Sequence, residues 1–215
     1  MIRRLVMNLD KFELIFWDFD GVIKESVSVK TDAFVELFQP YGNDVCNKVR
    51  QHHIENGGMS RFDKVPLYLK WSNITPTSAL IDDMCAKFSN IVKGKVIDSA
   101  WVPGVERFLR NNKRNCIFIM VSATPQDELE DICKSLNLDE FFSKFYGSPA
   151  TKSSAIKISM CDYGVSSEAC LMIGDAQADI DAAKENNISF IFRRHQCNQS
   201  LDIDSGMQVI NNFNY

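Results

Sequence analysis

Four short runs along the chain are apolar without alternation: Glu13 to Trp17, Cys116 to Val121, Cys170 to Ile173 and Ser189 to Phe192. A strand with one wet face alternates polar and apolar residues, so unbroken runs predict strands covered on both faces, as in a parallel sheet. Between and around them apolar positions recur at helical spacing, from Pro103 to Arg110, Pro125 to Leu136, Lys152 to Cys161 and Asp179 to Asn186. Strands alternating with helices of this length predict an α/β fold, a doubly wound, Rossmann-like parallel sheet with right-handed crossovers.

One region breaks the rhythm. From Ser26 to about Ser99 only helical patterns occur, at Val29 to Phe38, Asp44 to Ile54, Arg61 to Trp71 and Ser78 to Val92. This predicts an all-helical insert, residues 26–98, leaving after the first strand of a core built from residues 1–25 and 99–215. The glycines of Asn56-Gly57-Gly58-Met59-Ser60 punctuate the insert, and Lys93-Gly94-Lys95 comes near its end. The pairs Phe141-Phe142 and Phe145-Tyr146 read as core packing after a helix. The tail from about Gln196 is polar and irregular and yields no element.

Composition narrows the partners. The chain has 215 residues, with 24 Lys and Arg against 28 Asp and Glu for a formal charge of −4. That balance makes no broad positive field, so nucleic acid is not an expected partner. No apolar stretch approaches membrane-spanning length, and MIRRLVMNLDKF lacks the unbroken apolar run of a signal peptide. The seven cysteines are scattered and never in Cys-x-x-Cys spacing, which fits reduced, packed thiols and a cytoplasmic location.

In an open parallel sheet, ligands bind beyond the carboxyl ends of the strands. The residues following the apolar runs are Asp18 and Asp20 after the first, Ser122-Ala123-Thr124 after the second, and Gly174-Asp175 with Asp179 after the third; Lys152 opens the helix between the last two. Three acidic side chains meeting in one crevice repel each other and lose hydration unless a cation joins them. Oxygen donors without a nearby His or Cys suit a hard ion, and few carboxylates completed by water and phosphate suit Mg²⁺. Two aspartates then divide the labour of phosphoryl transfer: one attacks phosphorus, and the other donates a proton to the leaving oxygen and afterwards activates water. Lys152, the Ser122 hydroxyl and the Ala123 N–H are placed to hold phosphoryl oxygens.

These residues resemble the haloacid dehalogenase superfamily. Asp18-Phe19-Asp20-Gly21-Val22 is similar to its first motif and Ser122-Ala123-Thr124 to its second. Lys152 is similar to the third, and Gly174-Asp175-Ala176-Gln177-Ala178-Asp179 to the fourth, all in order over roughly residues 12–192. The resemblance implies that Asp18 is nucleophile and metal ligand and that Asp20 is general acid and base with its backbone carbonyl on the metal. It makes Asp175 a further ligand, with Asp179 standing behind them. The insert resembles the cap of members related to phosphoglycolate phosphatase and β-phosphoglucomutase, which closes over the site. An aspartate at position 20 distinguishes the chain from dehalogenases and phosphonatases of that superfamily. Lys24-Glu25-Ser26 replaces the common Asp-Ser ending of the first motif, and Asn187 stands where Gly commonly follows the fourth-motif helix.

The expectation is therefore a Mg²⁺-dependent phosphatase acting on a small phosphorylated metabolite, such as a sugar phosphate, through an aspartyl-phosphate. A phosphosugar mutase is the alternative, and a non-catalytic binding protein on the same fold is disfavoured because every motif position is occupied. In the cap, the Gly57-Gly58-Met59-Ser60-Arg61 stretch resembles the substrate-facing cap loop of β-phosphoglucomutase, which implies that Gly58, Ser60 and Arg61 contact substrate. An interhelical turn with Ser60 as N-cap accounts for the same stretch equally well. Adjacent His52 and His53 point to different sides of a helix and read as surface or cap packing. Oligomeric state is not legible.

Overall fold

The computed structural model describes residues 9, 11–111 and 116–214. The stretch in which a signal peptide was sought lies largely outside them. The described strands form one parallel sheet in the order β3-β2-β1-β4-β5-β6, with β1 Leu14–Trp17, β2 Ile117–Pro125, β3 Lys144–Ser148, β4 Cys170–Gly174, β5 Ser189–Arg193 and β6 Gln208–Ile210. β1 lies at the middle, Leu14 pairing with Ile117 on one side and Cys170 on the other. The chain builds outward from β1 to β3, then crosses back to β4. The crevice at that reversal opens beyond the carboxyl ends of β1, β2 and β4.

Both faces of the sheet are covered. Ile15, Trp17, Phe118, Met120, Leu171 and Ile173 join one apolar cluster, and Leu14, Phe16, Ile119, Val121, Cys170 and Met172 join another. Neighbouring residues of one strand thus enter opposite cores, which is why the runs are continuous. Helices α5 Val105–Arg110, α6 Gln126–Ser135, α7 Lys152–Tyr163 and α8 Gln177–Glu185 connect the strands. Asn187, following α8, takes the left-handed conformation at φ 54° in the place of a glycine.

Between β1 and α5 lie only helices: α1 Val27–Phe38, α2 Asn43–Glu55, α3 Arg61–Trp71 and α4 Ser78–Asp98. Helix α4 runs on past Val92 through Gly94, because Val96 is fully buried on the same stripe as Phe88 and Val92. Packing of that stripe outweighs the roughly 1 kcal/mol helix cost of one glycine. Phe34 stacks on Phe88 at 4.0 Å and meets Tyr68 edge-on at 5.5 Å, which ties α1, α3 and α4 together.

Two strands escaped the sequence pattern. In β3, the residues read only as core packing, Phe145 and Tyr146, stand beside Met120 and Val121 of β2. The tail supplies β6, and past it Phe213 packs on Trp17 at 5.5 Å while its N–H donates to the Pro103 carbonyl at 2.8 Å. The polar tail therefore closes one end of the larger core.

Candidate active site

Asp18 is the first residue past β1, and its N–H donates to the Ile173 carbonyl of β4 at 3.0 Å, so strand pairing itself fixes the carboxylate at the crevice. One of its oxygens accepts from the Phe19 N–H at 2.8 Å and the other lies 3.0 Å from Lys152 Nζ. Gly21, at φ 74°, turns the chain immediately afterwards; a Cβ there would collide with the Asp175 carboxylate. Asp20 faces the cavity between two donors: Ser26 Oγ at 2.6 Å and Lys30 Nζ at 2.5 Å. Lys30 also donates to Thr124 Oγ1 at 2.8 Å, which joins the first motif to the second.

The end of β2 carries a register irregularity between Val121 and Pro125. Beyond it Ala123 and Thr124 line the cavity, whereas the buried Ser122 hydroxyl donates to Thr124 Oγ1 at 3.1 Å. Neither Ser122 nor Thr124 caps α6, whose N-cap is Pro125 without a side-chain bond. Lys152 opens α7 behind a reciprocal cap made by Thr151 and Ser154, and its Nζ also bonds Asp179. Asp179 sits inside the first turn of α8, where its Oδ2 accepts the N–H groups of Asp175 at 3.1 Å and Ala176 at 3.0 Å.

Ligand oxygens of Asp18, Asp175 and Asp179 all lie within 4.8 Å of one another. Asp179 accepts three bonds, one from Lys152 and two from backbone N–H groups, against two for Asp18 and the His195 bond of Asp175, so Asp18 and Asp175 keep more free lone pairs for an ion. Burial raises the Asp18 carboxyl well above its usual range, and Asp179, Asp175 and Asp20 raise it further while Lys152 opposes them. Burial, then Asp179, pushes Asp175 up to about 8. Burial disfavours the Lys152 ammonium, but Asp179 and Asp18 outweigh that and hold it above the ordinary lysine range. Three carboxylates thus share one ammonium. A divalent cation fits this donor set, because it removes both the mutual repulsion and the burial penalty.

Residues that the sequence did not single out complete the site. His195 Nε2 lies 2.6 Å from Asp175 Oδ2, and its Nδ1 accepts the Cys197 N–H at 3.2 Å. An accepting Nδ1 leaves the proton on Nε2, so the ring donates to Asp175; burial and Arg193 hold it neutral, with a pKa of about 4. Asn198 donates to the Asp175 carbonyl at 2.8 Å and the Arg193 carbonyl at 2.9 Å. Both side chains come from the tail that carried no sequence signal.

A cavity of about 440 Å³ separates this cluster from the helical insert. The insert touches the core closely. A Cβ on Gly57 would press on Ala176 and one on Gly58 on Ala178, so the two glycines let this loop lie against the fourth motif. Ser60 caps α3 by accepting the Phe62 N–H at 3.3 Å and also meets Ser148 Oγ at 3.2 Å. Arg61 borders the cavity, but its guanidinium is bonded to both oxygens of Glu128 in α6, at 2.8 and 2.6 Å, and to Ser89 Oγ at 2.5 Å. Burial works against the Glu128 charge, yet the Arg61 bonds prevail and hold the carboxyl below its usual range. His53 is buried on the cavity wall against Lys64, and His52 meets the Tyr68 hydroxyl at 3.0 Å. Lys30, His53 and Lys64 were not singled out as site residues. The signal for the two lysines was present, since Lys30 shares a stripe with Ala33, Phe34 and Leu37, and Lys64 shares one with Val65, Tyr68 and Leu69. A lysine within an apolar stripe is unusual.

The family model for haloacid dehalogenase-like hydrolases matches residues 15–192. Among solved structures, the chain is similar to CbbY (mutant D10N) from Rhodobacter sphaeroides in complex with xylulose 1,5-bisphosphate, at TM-score 0.76 and 16% identity over 94% of this chain and 95% of that one. It is similar to a predicted phosphoglycolate phosphatase from Haemophilus somnus 129PT, at 0.74 and 18% over 94% and 95%. A β-phosphoglucomutase from Clostridium difficile matches at 0.74 and 20% over 94% and 92%. No curated protein matches by sequence. At these identities the structures speak for the fold alone.

Proposed function

The chain belongs to the haloacid dehalogenase-like hydrolase family, and from that premise we propose that it is a Mg²⁺-dependent phosphatase of small phosphorylated metabolites, working through an aspartyl-phosphate on Asp18. The observation that carries this reading is the meeting of Asp18 with Asp175, Asp179 and Lys152 at the edge of a cavity whose wall also holds Asp20. Asp18, the Asp20 carbonyl and Asp175 hold the metal. The ion supplies positive charge that offsets the carboxylates and the phosphoryl oxygens.

The protein's own groups carry the steps. An Asp18 oxygen bonds to phosphorus as the ester P–O bond breaks, and Asp20 gives its proton to the departing oxygen. Asp20 then takes a proton from water, whose oxygen attacks phosphorus and releases inorganic phosphate with Asp18 restored. Ser26 and Lys30 hold Asp20 in place. Lys152 neutralises Asp18 and the transferring group, with Asp179 fixing the ammonium, while Ser122 and the Ala123 N–H hold the spreading charge. His195 orients Asp175 through the proton it donates. The insert, residues 26–98, acts as a cap over the core formed by 1–25 and 99–215, and Gly58, Ser60 and Arg61 shape the substrate side of the joint. Among the described residues no helix is long and apolar enough to cross a membrane and the cysteines form no disulfide, which supports a cytoplasmic protein.

The test is inorganic phosphate release from a panel of phosphorylated metabolites, with Mg²⁺ and after chelation. Release that needs the ion is expected. A phosphoryl group returned to the sugar without stoichiometric release turns the reading to a mutase, and no transfer from any ester overturns it.

A further inference from the structure

Three of the cationic side chains on the cavity wall belong to the cap helices: Lys30, Arg61 and Lys64. Lys30 is paired with Asp20 and Arg61 with Glu128. Lys64 is 1% exposed, and its Nζ meets His53 Nδ1 at 3.0 Å. Among the described residues it has no carboxylate partner. Phe34 lies beside both groups, 5.9 Å from Lys64 Nζ and 5.0 Å from the His53 ring.

A buried ammonium without a counter-charge costs stability that an apolar side chain at the same place does not. Among the described residues the His53 bond and the Phe34 ring offset part of that cost, and no paired carboxylate offsets the rest. We infer that Lys64, with His53, forms a subsite on the cap wall for a second anionic group of the substrate, a carboxylate or phosphoryl group carried on the far side from the ester that is cleaved. Val27, Ile54, Phe34 and Phe88 border the same cavity, beside polar residues such as Thr124 and Gln177, so the spacer between the two ends is a carbon chain with apolar contacts on the cap side. The inference rests on the phosphate-ester reading for one end of the ligand. It differs from the recognition by Arg61 that the sequence implied, because the Arg61 charge is already matched.

The local charges agree with this geometry. Burial pushes Lys64 down to about 7, with Lys30 lowering it and Asp20 raising it. Burial and Lys64 together hold His53 well below the usual histidine range, with Lys30 and His52 adding to the effect. An arriving anion favours the charged lysine, so binding near neutral pH draws a proton into the site.

Calorimetry on the full chain with Mg²⁺ tests the subsite without turnover. The probes are ω-carboxyalkylphosphonates of graded chain length and the matching alkylphosphonates. Wild type is expected to prefer the carboxylate-ended member of the best pair by about 30-fold or more. In Lys64→Met the preference falls close to unity, and Lys64→Arg restores part of it. Near pH 7, titration in two buffers of different ionisation enthalpy shows proton uptake by wild type that Lys64→Met lacks. Lys64→Met melts no lower than wild type. An equal preference in wild type and Lys64→Met overturns the subsite, as does no preference or no binding in wild type, or a lowered melting temperature with the preference intact. Absence of phosphate release from every ester defeats the phosphatase reading instead, and the binding result stands apart from it.

Discussion

The two walls of the cavity carry charge imbalances of opposite sign. On the core wall, Asp18, Asp175 and Asp179 share the single ammonium of Lys152. On the cap wall, Lys30 and Arg61 each have a carboxylate, and among the described residues Lys64 has none. Packing does not create either imbalance, since apolar residues of similar volume suit both places better. The difference teaches that the two walls favour charges of opposite sign: the carboxylates of the core side fit a cation, and the proposed subsite on the cap side fits an anion. Between them lies a third arrangement, the closed Arg61–Glu128 pair, which is fully matched and joins the two parts.

The core side is expected to give way most steeply to removal of the proposed nucleophile. Asp18→Asn is expected to lower phosphate release by at least about 10⁴-fold, with the melting temperature of the metal-free protein unchanged or raised because one buried carboxylate is gone. A variant retaining a tenth of the activity places the nucleophile elsewhere. Breaking the matched pair has the opposite signature. Glu128→Ala leaves the Arg61 guanidinium buried and unpaired, and denaturant unfolding should show a loss of about 3 kcal/mol; a negligible loss means the joint holds without it.

Smaller effects sharpen the contrast. His195→Phe removes the donor that steadies Asp175 and should weaken Mg²⁺ binding by about 10- to 100-fold in calorimetry, while barely changing the carboxylate preference of the cap side. The smallest effect is the pH response. With Asp175 raised to about 8, Mg²⁺ must displace a proton, so its apparent affinity falls by up to about tenfold per pH unit below that value. For the metal-free fold the sign is fixed likewise: a carboxyl at 3.8 unfolded and about 8 folded makes stability decline as pH rises through that window. Chemical denaturation in EDTA across it reads the slope, and a rising slope refutes the assignment.

Much of this was legible because strands and motifs are local. The unbroken runs before Asp18, Ser122 and Asp175 marked the strands, and the switch-point rule placed the residues after them in one crevice. The half-exposed β3 was missed because Lys144, Phe145 and Tyr146 face neither a full core nor open water, and β6 because three edge residues make no pattern. His195 and Asn198 were invisible for a different reason: only the return of the tail beside Asp175 gives them a partner. Arg61 borders the cavity, but Glu128, 67 positions away, became its partner only through folding. Lys64 was readable in principle from its place on the α3 stripe.

The most direct measurement is borohydride trapping during turnover. Sodium borohydride reduces an aspartyl-phosphate to homoserine, and peptide mass spectrometry locates it. Homoserine at position 18, formed only when a phosphate ester and Mg²⁺ are both present, is the expected result. Steady phosphate release with position 18 unmodified, or with the modification at another carboxylate, contradicts it.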